Sequence, residues 1–116
     1  MLIVEDDSDV RRLYAIGLNQ RGFEVKLAAN GAEAIERIER EHPEVILLDW
    51  FMPLMDGGEV LDRLDEKASN SVEIIVISGQ PRPASAAHSR IRCWLTKPVT
   101  IDELVACIEQ RFAEFG

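Results

Sequence analysis

No stretch of this 116-residue chain approaches the roughly 20 consecutive apolar residues that a membrane-spanning helix requires, so membrane insertion is not expected. Its opening residues lack the basic, then apolar, then small-residue order of a secretory leader. Cysteine is scarce. Cys93 and Cys107 are the only two, they form no C-x-x-C pair, and neither sits in sequence beside a cluster of other metal-ligand types. Two free thiols in a reducing cytoplasm is the expectation, which makes the protein cytoplasmic. No internal repeat, low-complexity tract or interdomain linker is present, so residues 1–116 read as one domain. Bases are outnumbered, 13 Lys and Arg against 21 Asp and Glu, for a net charge of -8. A surface that acidic repels a phosphate backbone, which argues against direct nucleic-acid binding. One segment reverses the balance: between Glu73 and Asp102 there is no acid, yet Arg82, Arg90, Arg92 and Lys97 fall there. It reads as a basic face that is solvated, docks a partner, or supports a negative centre nearby.

What is present is enough for one core, since 47% of the residues are hydrophobic and 29% charged. Aliphatic runs at Leu2 to Val4, Phe23 to Ala28, Val45 to Leu48 and Val72 to Ile77 predict buried strands. Most are continuous rather than alternating, as in a parallel sheet covered on both faces. A fifth run, Ile91 to Leu95, sets Ile91, Cys93 and Leu95 against Arg92 and Trp94, which suits an edge strand. Helical spacing fills the gaps. Val10, Leu13, Tyr14, Gly17 and Leu18 form a stripe behind Asp7 or Ser8 as cap, and Gly22 ends it. Asn30 with Glu33 and Thr100 with Glu103 have capping-box spacing. The first precedes Ala34, Ile35 and Ile38, and the second precedes Ile101, Leu104, Val105, Ile108 and Phe112. Val60, Leu61 and Leu64 mark a helix after Gly57-Gly58, whereas Pro81 and Pro83 forbid a regular helix between the fourth and fifth strands. The order β-α-β-α-β-α-β-(short α)-β-α predicts an α/β, doubly wound, three-layer sandwich.

In such sheets, ligands bind at the carboxyl ends of the strands, near the point where strand order reverses. The first strand ends in Glu5-Asp6-Asp7, the third in Asp49, the fourth in Ser78-Gly79 and the fifth in Lys97-Pro98. Carboxylates brought together repel, and a hard divalent cation relieves that repulsion. Mg²⁺ fits, being held by one or two carboxylates, waters and phosphate oxygens. A metal, an ammonium and a hydroxyl around a carboxylate are the parts that stabilise a moving phosphoryl group, with Asp49 as acceptor. Asp7 is equally well placed as a helix cap. Two other activities fit less well. A flavodoxin-like cofactor protein needs a Ser/Thr/Gly-rich loop after the first strand, where this chain has Glu5-Asp6-Asp7-Ser8-Asp9. A Mg²⁺-dependent phosphohydrolase with an Asp nucleophile carries a second Asp two residues on, where this chain has Phe51.

Taken in order, Leu2-Ile3-Val4-Glu5-Asp6-Asp7, Asn30-Gly31 with Ala34, Leu47-Leu48-Asp49 with Met52-Pro53 and Asp56-Gly57, Ser78-Gly79, and Leu95-Thr96-Lys97-Pro98 resemble the receiver domain of bacterial two-component response regulators. The resemblance spans essentially the whole chain. It implies a flavodoxin-like (βα)5 fold of strand order 2-1-3-4-5, with the fourth helix shortened here. It implies Mg²⁺ held by Glu5, Asp6, Asp49 and the backbone carbonyl of Phe51. It makes Asp49 the phosphoacceptor, Ser78 the switch hydroxyl and Lys97 the phosphate-pairing lysine. Trp94 stands where the family carries an aromatic switch residue, usually Tyr or Phe. The implied partner is a histidine kinase or a histidine phosphotransfer protein, and the implied role is a signalling phosphoacceptor rather than an enzyme. A degenerate receiver that acts only as a protein-interaction module is the alternative.

Overall fold

Continuous aliphatic runs become strands buried on both faces, because each strand is sandwiched between helical layers. The computed structural model describes every residue except 53–54, 67–71, 87–89 and 116, and every side chain among them except those of 66, 85 and 111–115. Along the chain run β1 (Leu2–Val4), α1 (Ser8–Gln20), β2 (Lys26–Ala28), α2 (Gly31–Glu41), β3 (Val45–Asp49), α3 (Gly57–Glu66), β4 (Glu73–Ser78), β5 (Ile91–Thr96) and α4 (Ile101–Phe115). All strand pairs are parallel and the sheet order is β2-β1-β3-β4-β5. This is the expected doubly wound α/β topology, and its order reverses between β1 and β3. In the β4–β5 crossover the described residues hold only a 3-10 turn at Ala84–Ala86, as Pro81 and Pro83 foreshadow.

Alternate residues of each strand feed opposite layers. Leu2, Val4, Ile46, Leu48, Ile74 and Val76 pack with Ala34 and Ile38 of α2 and Val60, Leu61 and Leu64 of α3. Ile3, Leu47, Ile75 and Ile77 pack with Tyr14, Ala15 and Leu18 of α1 and Leu104, Val105 and Ile108 of α4. Each fully buried Leu or Ile is worth about 1.5–3 kcal/mol, so these two layers supply most of the stabilisation. The caps fix where the helices begin. Asp7 Oδ1 accepts from the N–H groups of Asp9 and Val10 at 2.9 and 3.1 Å. Asn30 Oδ1 accepts from Glu33 N–H at 2.9 Å. Thr100 and Glu103 make both arms of their capping box, with Glu103 N–H on Thr100 Oγ1 at 3.1 Å and Thr100 N–H on Glu103 Oε1 at 3.3 Å.

The structure departs from the sequence pattern in four places. β2 starts at Lys26 rather than Phe23, because Phe23 N–H closes α1 on Leu18 C=O at 3.1 Å while Gly22 turns at φ 90°. Leu13 is 66% exposed, and Ala15 is buried in its place, because the inward arc of α1 centres on Tyr14 and Leu18. On β5 the register steps from Ile74–Ile91 to Ile75–Cys93, so Arg92 is the extra residue of a β-bulge. Ile91 therefore joins Trp94 in the α2/α3 layer, while Cys93 and Leu95 face α1 and α4. Finally, the basic segment is only partly an open face: Arg82 is exposed, while Lys97 turns in to the acids at the strand ends. Arg90 Nε donates to Asp65 Oδ1 at 2.9 Å and is only 16% exposed, and Arg82 folds back on Ala86 C=O at 2.9 and 3.1 Å. The Phe112 side chain lies outside the described residues.

Candidate functional site

Parallel pairing brings the carboxyl ends of β1, β3, β4 and β5 to one edge of the sheet. Glu5 follows β1 at once, Asp49 is the last residue of β3, and Ser78 is the last of β4. All three are buried, at 2%, 4% and 0% exposure, which for the two acids is unusual and requires a reason. Asp6 beside them is exposed. Glu5, Asp6 and Asp49 each offer a carboxylate oxygen, and these oxygens lie within 4.8 Å of one another.

Lys97, just past β5, reaches into this cluster. Its Nζ is 3.5 Å from Glu5 Oε2 and 3.6 Å from Asp49 Oδ2. The peptide joining it to Pro98 is cis. Burial alone lowers the Lys97 pKa, but the charges of Asp49 and Glu5 outweigh it and the net shift is upward. One ammonium does not balance the acids. Burial, and then the Glu5 charge, push Asp49 from 3.8 up to about 7, against the pull of Lys97. Glu5 Oε1 accepts from Asp7 N–H at 3.2 Å, whereas its buried Oε2 has no hydrogen-bond donor. Arg11 anchors the backbone here, donating to Glu5 C=O at 2.8 Å.

Surplus negative charge, hard oxygen donors and a buried Glu5 oxygen that accepts no hydrogen bond, with Lys97 Nζ 3.5 Å away, together fit a small divalent cation such as Mg²⁺. The two remaining expected residues adjoin this cluster, Phe51 along the chain and Ser78 across the sheet. Phe51 lies on the loop two residues beyond Asp49, with its side chain 51% exposed. Ser78 lies one residue beyond Ile77, the register partner of Asp49, and its Oγ accepts from Gln80 N–H at 3.0 Å.

Three neighbours carry more than the sequence suggested. Tyr14, read there as a stripe residue, is buried within the field of the site; burial raises its pKa, Lys97 opposes, and Glu5 and Asp49 add to the rise. Trp50, next to Asp49, packs on Trp94 with ring centroids 5.1 Å apart. Trp94 Nε1 donates to Gln80 C=O at 3.0 Å, so the turn that holds the Ser78 hydroxyl is tied to an indole on β5. The hydropathy pattern cannot show these contacts, since they join residues far apart in the chain.

Comparison with known proteins gives the family. The response regulator receiver domain family matches residues 1–109. The transcriptional regulatory protein PrrA of Mycobacterium tuberculosis is 35% identical, covering 94% of this chain and 48% of its own length. The chain thus spans about half the length of that relative. Sporulation initiation phosphotransferase F of Bacillus subtilis is 32% identical, covering 90% of this chain and 86% of its own length. Among solved structures, the receiver domain of Francisella response regulator 1452 superposes with a TM-score of 0.85 at 26% identity, over 99% of this chain and 97% of that one. No helix among the described residues is long and apolar enough to cross a membrane. The chain belongs to the response regulator receiver domain family of two-component signalling systems.

Proposed function

We propose that this single domain takes a phosphoryl group from a phosphohistidine onto Asp49 and changes its partner binding as a result. The observation that carries this reading is the buried Asp49 carboxylate at the end of the central strand, 3.6 Å from Lys97 Nζ and grouped with Glu5 and Asp6. In the transfer, an Asp49 oxygen attacks phosphorus, the O–P bond forms, and the N–P bond of the donor histidine breaks. The imidazole leaves with the electron pair, and the product is an acyl phosphate. Lys97 is placed to pair with the phosphoryl oxygens. Ser78 is placed to donate its hydroxyl proton to them. Glu5, Asp6, Asp49 and the Phe51 carbonyl would hold Mg²⁺, which when bound offsets the charge that gathers at phosphorus.

The donor is a histidine kinase or a histidine phosphotransfer protein, since imidazole is a good leaving group from a phosphohistidine attacked by a carboxylate. Phosphorylation adds up to about two negative charges beside Lys97 and Ser78. Any movement of the Ser78 hydroxyl toward them draws on Gln80 N–H, and through Gln80 C=O on Trp94. The switch thus begins in the β4 turn and reaches the α2/α3 face through an indole.

The test is phosphorylation with a small phosphodonor and Mg²⁺. The expected product carries one phosphoryl group that base and hydroxylamine release, and Asp49→Asn takes up none. Uptake by Asp49→Asn equal to that of the natural sequence would remove Asp49 as acceptor. No uptake by either protein, from the small donor or from a phosphohistidine protein, would leave the interaction-module reading.

A further inference from the structure

Trp50 directly follows Asp49, yet the chemistry proposed above does not use it. Its backbone is held on both sides. Trp50 N–H donates to Ile77 C=O at 3.2 Å, one residue before Ser78, and Trp50 C=O accepts from Gly57 N–H at 2.8 Å. The second bond closes the loop from Trp50 to Gly57, on which Phe51 lies. The half-buried indole lies across the start of α3. A methyl group on Gly57 would stand 2.5 Å from Trp50 Cε3 and 3.1 Å from its Cα, so only glycine leaves room for this ring. The same ring packs on Trp94, with centroids 5.1 Å apart and planes at 55°. Trp94 Nε1 donates to Gln80 C=O at 3.0 Å, and Gln80 N–H donates to Ser78 Oγ at 3.0 Å. A continuous line of contacts thus runs from Gly57 through two indoles to the Ser78 hydroxyl.

We propose that Trp50 is a positioning residue that makes the loop after Asp49 and the turn that holds the Ser78 hydroxyl move as one unit. A ring pair has a preferred geometry, and displacing either ring loses contact with the other. Each indole is also tethered away from the pair, Trp50 by the close approach of Gly57 and Trp94 by its hydrogen bond to Gln80. Each tether therefore resists displacement of the other. The functional consequence rests on the reading of the strand-end cluster as a cation and phosphoryl site. Phe51, whose carbonyl would ligate Mg²⁺, is the next residue inside the closed loop. A pull on that carbonyl reaches the Ser78 turn through the indole pair before any phosphoryl group arrives. A shift of Ser78 reaches the loop in return, since coupling between two sites is reciprocal. Cation loading and placement of the hydroxyl are then one equilibrium rather than two.

The experiment measures exchange with water by NMR, first in EDTA, at Gly57 N–H, Trp94 Nε1–H and Gln80 N–H. Leu47 N–H, in the buried strand β3, reports overall stability. Trp50→Leu should speed exchange at the three groups by roughly fivefold beyond any change at Leu47, the scale of one lost ring contact. Trp50→Phe, which keeps a ring, should restore most of the protection. Ser78→Ala should speed exchange at Gly57 from the other end of the line. Added Mg²⁺, with binding read by calorimetry, should slow exchange at Trp94 Nε1–H and Gln80 N–H in the natural sequence but not in Trp50→Leu. Faster exchange at Gly57 alone would confine Trp50 to its own loop and overturn the proposal. So would equal acceleration at Leu47, the mark of a merely structural role, or Mg²⁺ that binds without slowing Trp94 Nε1–H. If the natural sequence binds no Mg²⁺, the reading of the acid cluster fails, and the series in EDTA still decides whether Trp50 links the two segments.

Discussion

Replacing Asp49 with asparagine should make the metal-free fold more stable at about pH 8 and leave it little changed at about pH 4. Asp49 is 4% exposed, and its pKa rises from 3.8 to about 7, through burial first and the Glu5 charge second. Because the folded value lies above the unfolded one, the folded chain binds the extra proton. The stability this provides is complete below about pH 4 and is lost as the pH rises through about 7. The gap of about 3 pH units, at about 1.4 kcal/mol per unit, puts the cost of ionising Asp49 in the fold at about 4 kcal/mol. Asparagine keeps the shape, carries no charge, and leaves Lys97 beside Glu5 at 3.5 Å. Its amide N–H groups need acceptors, which offsets part of the gain, so about 2–4 kcal/mol is expected at about pH 8. The assay is urea unfolding of both proteins in EDTA from about pH 4 to about pH 8. The natural sequence should lose stability across that range relative to the variant. Added Mg²⁺ should then raise the natural protein alone, since the variant lacks the acid that completes the site. Stability curves that run parallel with pH, or a variant that is less stable at the alkaline end, would refute the reasoning.

Two further substitutions probe how the site is held in place. Gly17→Ala puts a methyl group 2.5 Å from Ile101 Cδ1, so despite a helix-propensity gain of about 1 kcal/mol it should destabilise by about 1–2 kcal/mol net. Adding Ile101→Ala should cost less than the sum of the two single changes, and additive losses in urea midpoint would show that the close approach of α1 and α4 is not the cause. Thr100→Ala removes the hydroxyl that accepts from Glu103 N–H, leaving the backbone arm of the α4 capping box in place, and should cost about 1 kcal/mol, whereas an unchanged midpoint would mean that the hydroxyl does not hold the first turn of α4.

Most of the architecture was legible because it depends on local rules. Continuous runs such as Val45–Asp49 can be buried only on both faces, and Asn30, Thr100 and Gly22 punctuate the chain wherever they stand. The acid cluster was legible for the same reason: parallel strands must end at one edge, and Glu5, Asp6, Asp49, Ser78 and Lys97 each stand at a strand end. What escaped depends on pairings between distant residues. The β5 bulge, which puts Ile91 and Cys93 on opposite faces, is a matter of register with β4 and leaves no trace in an alternating pattern. Phe23 has the side chain of a strand residue, but its N–H is spent closing α1. Arg90 looked like surface charge until the fold set Asp65 beside it. Leu13 fits the helical stripe by spacing, yet which arc of α1 turns inward is decided by the approach of α4 at Gly17.

That approach has a mechanical consequence. A methyl group at Gly17 would collide with Ile101, and Arg21 of the α1 cap pairs with Asp102 of α4, so the two helices on that face behave as one slab. The opposite face is backed by α2 and α3, but toward β5 it is finished by a three-residue 3-10 turn and the Trp94 ring. Charge added at the strand ends loads the whole edge, and the hydrogen bonds leading away from it run from the Ser78 hydroxyl through Gln80 to the Trp94 indole. Packing, rather than the position of the acceptor, then sets the direction in which such a domain deforms. Two chains with the same cluster of acids can report on different faces if their strand-end turns hand the load to different side chains.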